Sequence, residues 1–351
     1  MRARALGYRG IAMRRHYWSI VGTVVILSAF ESRAIAQDFY QGKKITMSTH
    51  VAPGDGYDTY LRLLARHFNR HIPGNPTMVV VNQPGAGGLL SINYTAKRAP
   101  QDGTWLALAS QGLYLHEALE KPGLEASLRD FKWIGNLNSS ANVTATWRLS
   151  GVKTIQDAMK KEVTVGSTGA GAITSIVPAV MNSILGTKFK IIYGYQGGAA
   201  QNLAMERGEL DGRSVNTWDG YKALQPHAIA NGDLHILVQI SMLKEPDLTH
   251  VPRLIDLVQG KPDEEAIARF LTLGMSISRS IAAPPGTPSD RVETLRDAFD
   301  KTMIDPLFKS DAQKLGAEVS PASGKQVQHV VEEVVGAPVA FRRKFAEAAR
   351  E

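Results

Sequence analysis

The chain has 351 residues, 44% hydrophobic and 21% charged, which is typical of a folded protein with room for two domains. It contains no cysteine, which excludes disulfides, zinc–thiolate sites and a cysteine nucleophile. Six of its arginines and one glutamate lie in residues 1–36, so the formal charge of +7 falls to +2 for the rest, with 34 basic and 32 acidic residues. A nearly neutral body argues against a nucleic-acid-binding face.

The first 36 residues have the pattern of a cleaved secretory signal peptide. A basic region ends at Arg14-Arg15, an apolar run covers residues 20–27, and small residues precede a cut after Ala36. The apolar run is shorter than the ~20 residues that cross a bilayer, and Met13 is an alternative start. Because no cysteine is available for lipid attachment, we expect a free periplasmic protein and not a lipoprotein.

Strand and helix patterns alternate through the first half of the mature chain. Asp58 is predicted to cap the first helix, whose apolar face carries Leu61, Leu64, Ala65 and Phe68 at i, i+3, i+4 and i+7. Strand–helix–strand units of this length predict parallel sheets covered by helices. The predicted strands are Lys44–Thr49, Thr77–Val81 and Thr104–Ala109.

Strand and helix patterns alternate in the same way through the second half, which predicts a second small α/β unit. A helix is predicted over Ile173–Leu185, with a turn or kink at Pro178. The tail from Asp290 is predicted to be largely helical. The predicted strands are Glu162–Gly166, Phe189–Tyr193, Leu210–Val215, Leu234–Ile240 and Arg279–Ala283.

Three loops share one design, in which a strand is followed by small residues and then by the start of a helix. They are Pro53–Asp58, Pro84–Gly88 and Gly166–Gly171. The first N–H groups of a helix are unpaired and carry partial positive charge, and glycine lets an anion approach them closely. Each loop alone is more simply a tight connection, but three in one chain favour a shared site for a small anion.

Motifs of nucleotide binding and of common catalysis do not occur. Gly166–Gly171 has the order GxxGxG and not GxGxxG, and the chain lacks GxxxxGK[ST], GxSxG and HExxH. His67 and His71 are four residues apart and could share a metal ion, but we interpret them as solvated residues on the polar face of their helix. We therefore predict no cofactor, no bound metal and no nucleic-acid partner.

Short motifs follow one another in a definite order along the chain. They are PGDGYD from Pro53, NQPGAGG from Asn82, PQDG from Pro100, GSTGAG from Gly166, YQG from Tyr195, GELD from Gly208 and PPGTP from Pro284. These motifs and their order make the chain resemble the extracytoplasmic solute receptors of tripartite tricarboxylate transporters, the Bug-type receptors. The resemblance extends from about Lys43 to near the C-terminus.

The resemblance implies an α/β periplasmic-binding-protein fold, type II-like, with two lobes and a ligand cleft between them. Lobe 1 would comprise residues 37–142 and 283–351, and lobe 2 residues 143–282, although the tail could pack on lobe 2. Val143–Trp147 and Ser278–Ala283 are the expected crossing strands. We expect a monomer that works with the membrane subunits of a transporter.

The resemblance also implies which residues bind the ligand, expected to be a small organic acid or an amino-acid-like compound. Many relatives have glycine where this chain has Asp55, whose charge would repel a carboxylate by about 1 kcal/mol in water and more in a partly buried site. Asp55 must then point to solvent, or the ligand must present a neutral or cationic group to it. The implied ligand-binding residues are Pro53, Gly54, Asp55, Gly56, Tyr57, Asp58, Gly87, Ser110, Ser167, Thr168, Tyr195, Gly197, Asn216 and Thr217.

A second hypothesis is a secreted hydrolase or isomerase on the same scaffold, because a fold does not determine a function. Such an enzyme would need a nucleophile or a general base in the cleft. The candidates are Asp55, His50 and His116.

Overall fold

The computed structural model describes residues 39–169, 172–195 and 197–350, whose strands form two sheets. The predicted signal peptide and its cleavage point after Ala36 lie outside the described residues, as do Ala170, Gly171 and Gln196 of the predicted loops. The first sheet contains β1 (Lys44–Thr49), β2 (Thr77–Asn82), β3 (Trp105–Leu108), β4 (Lys132–Asn136), β10 (Ser280–Ala283) and β11 (Ala322–Ser323). The second contains β5 (Asn142–Trp147), β6 (Val163–Ser167), β7 (Phe189–Tyr193), β8 (Gly212–Thr217) and β9 (Leu234–Ile240).

The two sheets share one topology, apart from the additional edge strand β11 of the first. In the first, the order is β11-β4-β10-β3-β1-β2, with β1, β2 and β3 parallel and β10 antiparallel to both of its neighbours β3 and β4. In the second, the order is β7-β6-β8-β5-β9, with β6, β7 and β8 parallel and β5 antiparallel to β8 and β9. Each sheet therefore contains one inner strand, β10 or β5, that runs antiparallel to both of its neighbours.

Helices connect these strands and cover the sheets. In the first half they are α1 (Gly56–Phe68), α2 (Leu89–Lys97) and α3 (Gly112–Ala118). In the second half they are α4 (Ile155–Lys160), α5 (Ile173–Leu185), α6 (Gly198–Glu206), α7 (Trp218–Leu224), α8 (Pro226–Ala230) and α9 (Pro262–Met275). The tail forms α10 (Ser289–Ile304), α11 (Pro306–Lys314), α12 (Gly324–Val335) and α13 (Val339–Ala348).

The tail contacts both halves of the protein. Helices α10 and α12 pack on β4 of the first sheet, and α13 packs on α5 beside the second sheet. Val331 and Phe345 of the tail belong to one continuous apolar core with Trp133 of β4 and Val177 of α5. The domain boundaries inferred from the sequence stay a prediction. The tail is hard to assign to one lobe because it packs on both halves.

The chain crosses between the sheets at two segments that hydrogen-bond to each other. Residues 137–141 lead from β4 to β5, and residues 276–279 lead from α9 into β10. Leu137 N donates to Arg279 O at 3.0 Å, and Ser278 Oγ donates to Asn138 O at 3.0 Å. Because β4 runs parallel to β3, and β5 antiparallel to β8, the carboxyl ends of β1–β3 and of β6–β8 lie on the sides of the sheets that face this crossing.

Helix α5 continues through Pro178, so the turn predicted at this residue is wrong, whereas the alternative of a kink stays a prediction. Proline has no N–H, which deprives the carbonyl of Thr174, four residues earlier, of its helical donor. Ser214 Oγ on β8 donates to that carbonyl at 2.9 Å, and both residues are buried. A side chain of the neighbouring strand thus satisfies the carbonyl that the proline leaves unpaired.

We predict that Ser214→Ala lowers the free energy of unfolding by about 1–2 kcal/mol, because it leaves the buried Thr174 carbonyl without a donor. In a Pro178→Ala background the same change should cost less, since the N–H of residue 178 can then bond Thr174 O. Urea unfolding of the two single variants and the double variant measures the coupling between the two positions. Additive effects would show that Ser214 does not replace the missing donor.

Candidate functional site

Asp55 caps the helix that follows β1. Its side chain accepts a hydrogen bond from Tyr57 N at 3.0 Å, and α1 begins at Gly56. The prediction that Asp58 caps this helix is wrong. Asp58 is buried inside the first turn and accepts from Gly54 N at 2.8 Å and Arg62 Nε at 2.9 Å. Burial opposes the charged form of Asp58, but these hydrogen bonds together lower its pKa.

As a consequence, the two carboxylates of this loop have different roles. Asp58 braces the loop against β2, since Asn82 Nδ2 also donates to it at 2.9 Å. Asp55 is exposed, and its charge still acts on His50, Tyr57 and Arg213. Arg213 belongs to β8 of the second sheet, so Asp55 lies near the gap between the sheets.

The loops that follow β1, β2 and β3 meet around His50. The His50 and Tyr57 rings are in edge contact, with centroids 4.5 Å apart. Gly88, with φ +103°, fits so closely that a Cβ there would lie 2.6 Å from Ser110 Cβ and 3.5 Å from His50 Cγ. His50 Nδ1 lies 3.4 Å from Leu108 O, which can only accept, and burial lowers the His50 pKa to about 4. This half of the site therefore contains a neutral histidine at neutral pH.

The loops that follow β6, β7 and β8 form the opposing half. Ser167 is buried, and its hydroxyl lies 3.1 Å from both Gly169 O and Thr174 Oγ1. Thr168 N donates to Thr174 Oγ1 at 3.1 Å, so these hydroxyls brace the start of α5. Tyr195 and Gly197 precede α6, and Thr217 caps α7 by accepting from Gly220 N at 3.3 Å.

The two halves meet at the crossing. A Cβ on Gly112, in the first half, would lie 4.0 Å from the N atom of Ile173, at the start of α5 in the second. Arg279 of the crossing pairs with Asp219 of α7 at 3.2 Å, and its guanidinium carbon lies 4.1 Å from the Tyr60 ring centroid. The loops of both sheets therefore come together beside a buried ion pair.

Sequence reasoning missed this ion pair. Arg279, Asp219 and Tyr60 are far apart in the chain, and none of them belongs to a recognisable motif. Tyr60 Oη lies 2.8 Å from Asp219 Oδ2, and Asn138 Nδ2 donates to the same oxygen at 3.0 Å. The only sequence signal was the prediction that the chain crosses near residue 278.

The structure distributes the predicted binding residues over two surfaces. Pro53, Gly54 and Asp58 line an outer groove of about 980 Å³, together with Arg62 and Met78. The remaining predicted residues lie at the strand ends that face the crossing: Asp55, Gly56, Tyr57, Gly87, Ser110, Ser167, Thr168, Tyr195, Gly197, Asn216 and Thr217. Ligand binding by any of them stays a prediction.

The two histidines, His67 on α1 and His71 in the 3-10 turn that follows it, also have a different environment from the one predicted. His67 is buried and lies 3.0 Å from Asp311 Oδ2, and His71 lies 2.9 Å from Asp305 Oδ2. The interpretation of both as solvated residues is wrong, because each is bound to a carboxylate of the tail. Within the described residues, no group of three or more His, Cys, Asp or Glu side chains could hold a metal ion.

Comparisons with known proteins agree with this architecture. The sequence profile described as "Tripartite tricarboxylate transporter family receptor" matches residues 62–339. The chain belongs to this receptor family. A UPF0065 protein of Agrobacterium vitis is 28% identical over 291 residues, which are 81% of this chain and 78% of that protein.

Solved structures of similar fold confirm the two-lobe α/β architecture predicted for this receptor. The periplasmic binding protein BugD has a TM-score of 0.67 at 22% identity, covering 88% of this chain and 98% of BugD. MatC of Rhodopseudomonas palustris, solved with bound malate, has a TM-score of 0.65 at 18% identity, covering 88% of this chain and 99% of MatC. Across the described residues of the receptor, none of the helices is both long and apolar enough to span a membrane.

The neutral state of His50 predicts a dependence of stability on pH. Because its pKa is about 4 in the folded receptor and about 6.5 when unfolded, the unfolded chain binds more protons between these values. Stability should therefore fall as the pH drops from about 6.5 towards 4, by on the order of 2 kcal/mol from this residue.

Urea unfolding at pH 7 and pH 4.5 tests this expectation. The loss of stability between the two pH values should be smaller in His50→Asn than in the wild type. His329→Asn, at an exposed histidine of α12, is the control and should leave the loss unchanged. An equal loss in wild type and His50→Asn would contradict the account of His50.

Proposed function

We propose that the protein is a periplasmic receptor that binds a small carboxylate between its two sheets and delivers it to the membrane subunits of a tripartite transporter. The main support is the convergence of the loops after β1–β3 with those after β6–β8, beside the crossing at Arg279. In open α/β sheets, ligands bind outside the carboxyl ends of the strands, which is where these loops lie.

The chemistry of these loops suits an anion. Helices α1, α5 and α6 begin at these strand ends. Asp55 already accepts from Tyr57 N of α1, and the other first N–H groups can donate to a carboxylate. Gly56 is exposed, and apart from its chain neighbours and the backbone of α1 no described atom lies within 4 Å of a Cβ placed there, so the start of α1 is open to a ligand. Closing the gap would expel water and strengthen each of these hydrogen bonds.

The relatives support the location and the class of ligand. BugD is described as a periplasmic binding protein, and MatC was solved with malate, a small organic acid. The signal-peptide pattern fits export with cleavage after Ala36, and the absence of cysteine fits an unlipidated receptor. Delivery to membrane subunits follows from membership of the transporter receptor family.

The enzymatic alternative has less support because each candidate catalytic group has a structural role. Asp55 caps α1, and the His50 ring bonds the Leu108 carbonyl. His116 Nε2 lies 3.0 Å from the carbonyl of Pro122. The family is a family of receptors, and we propose that this member has no catalytic activity.

We predict that Gly56→Val weakens carboxylate binding at least about tenfold, because the added side chain occupies the space in front of the α1 N–H groups. The open surroundings of Gly56 should leave folding intact. Ser289→Val is the matched control, since Ser289 is also the exposed first residue of a helix, α10. Isothermal calorimetry against a panel of small mono- and dicarboxylates measures the affinities.

Solution scattering with and without the tightest acid provides the second readout. A receptor that closes on its ligand should show a smaller radius of gyration when the acid is bound. If no small carboxylate binds and the radius stays constant, the proposed receptor function is wrong. If acids bind equally well to the wild type and to Gly56→Val, the receptor function stands and the site lies elsewhere, with the outer groove at Arg62 as the first alternative.

A further inference from the structure

Arg213 is a buried cation that forms no ion pair with the described residues. It lies on β8, is 7% exposed, and has no acidic side chain within 4 Å among the described residues. Its Nη1 donates to Asn202 Oδ1 at 2.8 Å and to Gly198 O at 3.4 Å, and its Nη2 to Val215 O at 3.5 Å. Its buried Nε has no hydrogen-bond partner in the described part of the chain.

Such an arrangement is costly for the protein alone. Burying a charge without a counter-charge is strongly unfavourable, and desolvation lowers the pKa of Arg213. Arg279, the other buried arginine at this site, is different because Asp219 neutralises it at 3.2 Å. Within the described part of the chain, Arg213 therefore lacks the directly paired counter-ion that buried arginines usually have.

The position of Arg213 connects it to the predicted binding loops. Its guanidinium lies against the start of α6, where a Cβ on Gly198 would be 2.8 Å from Nη2 and 3.0 Å from Nη1. Gly197 precedes this helix, and Asn216 lies three residues after Arg213 on β8. The exposed carboxylate of Asp55, from the loop after β1, acts electrostatically on Arg213. An anion at this helix start would meet both the α6 N–H groups and the guanidinium.

The buried charges described around the site sum to one positive charge, that of Arg213. Arg279 and Asp219 cancel, and His50 is neutral at neutral pH because burial lowers its pKa to about 4. Asp55 adds a negative charge at the exposed edge. A single carboxylate beside Arg213 would balance the buried part, whereas a second carboxylate would either be buried without a partner or approach Asp55.

We propose that Arg213 binds the carboxylate of the ligand and that the site accepts one buried negative charge, so that the receptor selects monocarboxylates over dicarboxylates of the same carbon framework. This inference rests on the proposed function. It adds the charge of the ligand and names Arg213 as the residue that recognises this charge. Asp55 contributes by disfavouring a second carboxylate at the edge of the site.

Calorimetry of the wild-type protein with matched acids tests the charge preference. The pairs are butyrate with succinate, hexanoate with adipate, and benzoate with terephthalate, at neutral pH and one ionic strength. In each pair that binds, the monocarboxylate should bind at least about tenfold more tightly. Equal or tighter binding of the dicarboxylates would overturn the charge preference, and absence of binding by all six acids would overturn both this inference and the proposed function.

Variants test the two residues separately. Arg213→Gln should weaken the best monocarboxylate at least about tenfold, and Arg213→Lys should restore part of the loss. Arg148→Gln, which removes an exposed arginine paired with Asp233 at the far end of β5, is the matched control and should bind normally. Normal binding by Arg213→Gln would overturn the role of Arg213 while leaving the receptor function intact.

Asp55→Asn provides a test that does not depend on the folding of an Arg213 variant. Asparagine also caps helices well, so α1 should keep its start. The affinity for the dicarboxylate of the best pair should rise at least about threefold, and that for the monocarboxylate should change less. If the affinity for the dicarboxylate does not rise, Asp55 does not contribute to the selection of charge.

Discussion

The relation between the two sheets depends on the buried ion pair of Arg279 and Asp219. Both side chains are almost fully buried, and they join the crossing segment to the start of α7 at 3.2 Å. A buried ion pair contributes little net stability, but loss of one partner is costly because it leaves a desolvated charge. Tyr60 and Asn138 bond the same carboxylate oxygen, so α1 and both crossing segments share one polar centre.

This centre determines which surfaces face each other. Helix α1 begins next to the loop after β1, and α7 begins where β8 ends, so a contact between them brings the carboxyl ends of both sheets to the same gap. A second polar link spans the same region, because Lys222 of α7 contacts Glu318 of the tail. The glycine-rich loops are then positioned by rigid elements, with their N–H groups directed by the helices that they start.

Much of this architecture could be predicted from the sequence, because local patterns encode it. The strands at Lys44–Thr49, Phe189–Tyr193 and Leu234–Ile240 have the predicted bounds, and the apolar face of α1 is buried as expected. Strand β4 was missed because it is short, buried on both faces and interrupted by Gly135, so it has no alternating pattern. In the loop after β1, the sequence predicted Asp58 as the helix cap, whereas Asp55 is the cap, because either aspartate satisfies the sequence rule.

Residues whose role depends on distant partners could not be predicted in the same way. From the sequence, His67 is interpreted as an exposed helical residue, but in the fold it contacts Asp311 of the tail. Arg279 is predicted as an ordinary strand residue, but in the fold it pairs with Asp219, which is distant in the chain. Arg213 belongs to no sequence motif. It stands out only in the folded structure, where no described carboxylate pairs with it and its buried Nε has no described hydrogen-bond partner. Hydrophobic periodicity reports on local burial, whereas pairing of buried charges is a property of the assembled fold.

The central claim is that one small carboxylate binds simultaneously to loops of both sheets. A crystal structure of the protein grown with its tightest acid would test this claim most directly. The account predicts a carboxylate in contact with the start of α1 or the loop after β3 on one side, and with the start of α5 or α6 on the other. An acid bound to one sheet alone, or seated in the outer groove between Arg62 and Met78, would contradict it.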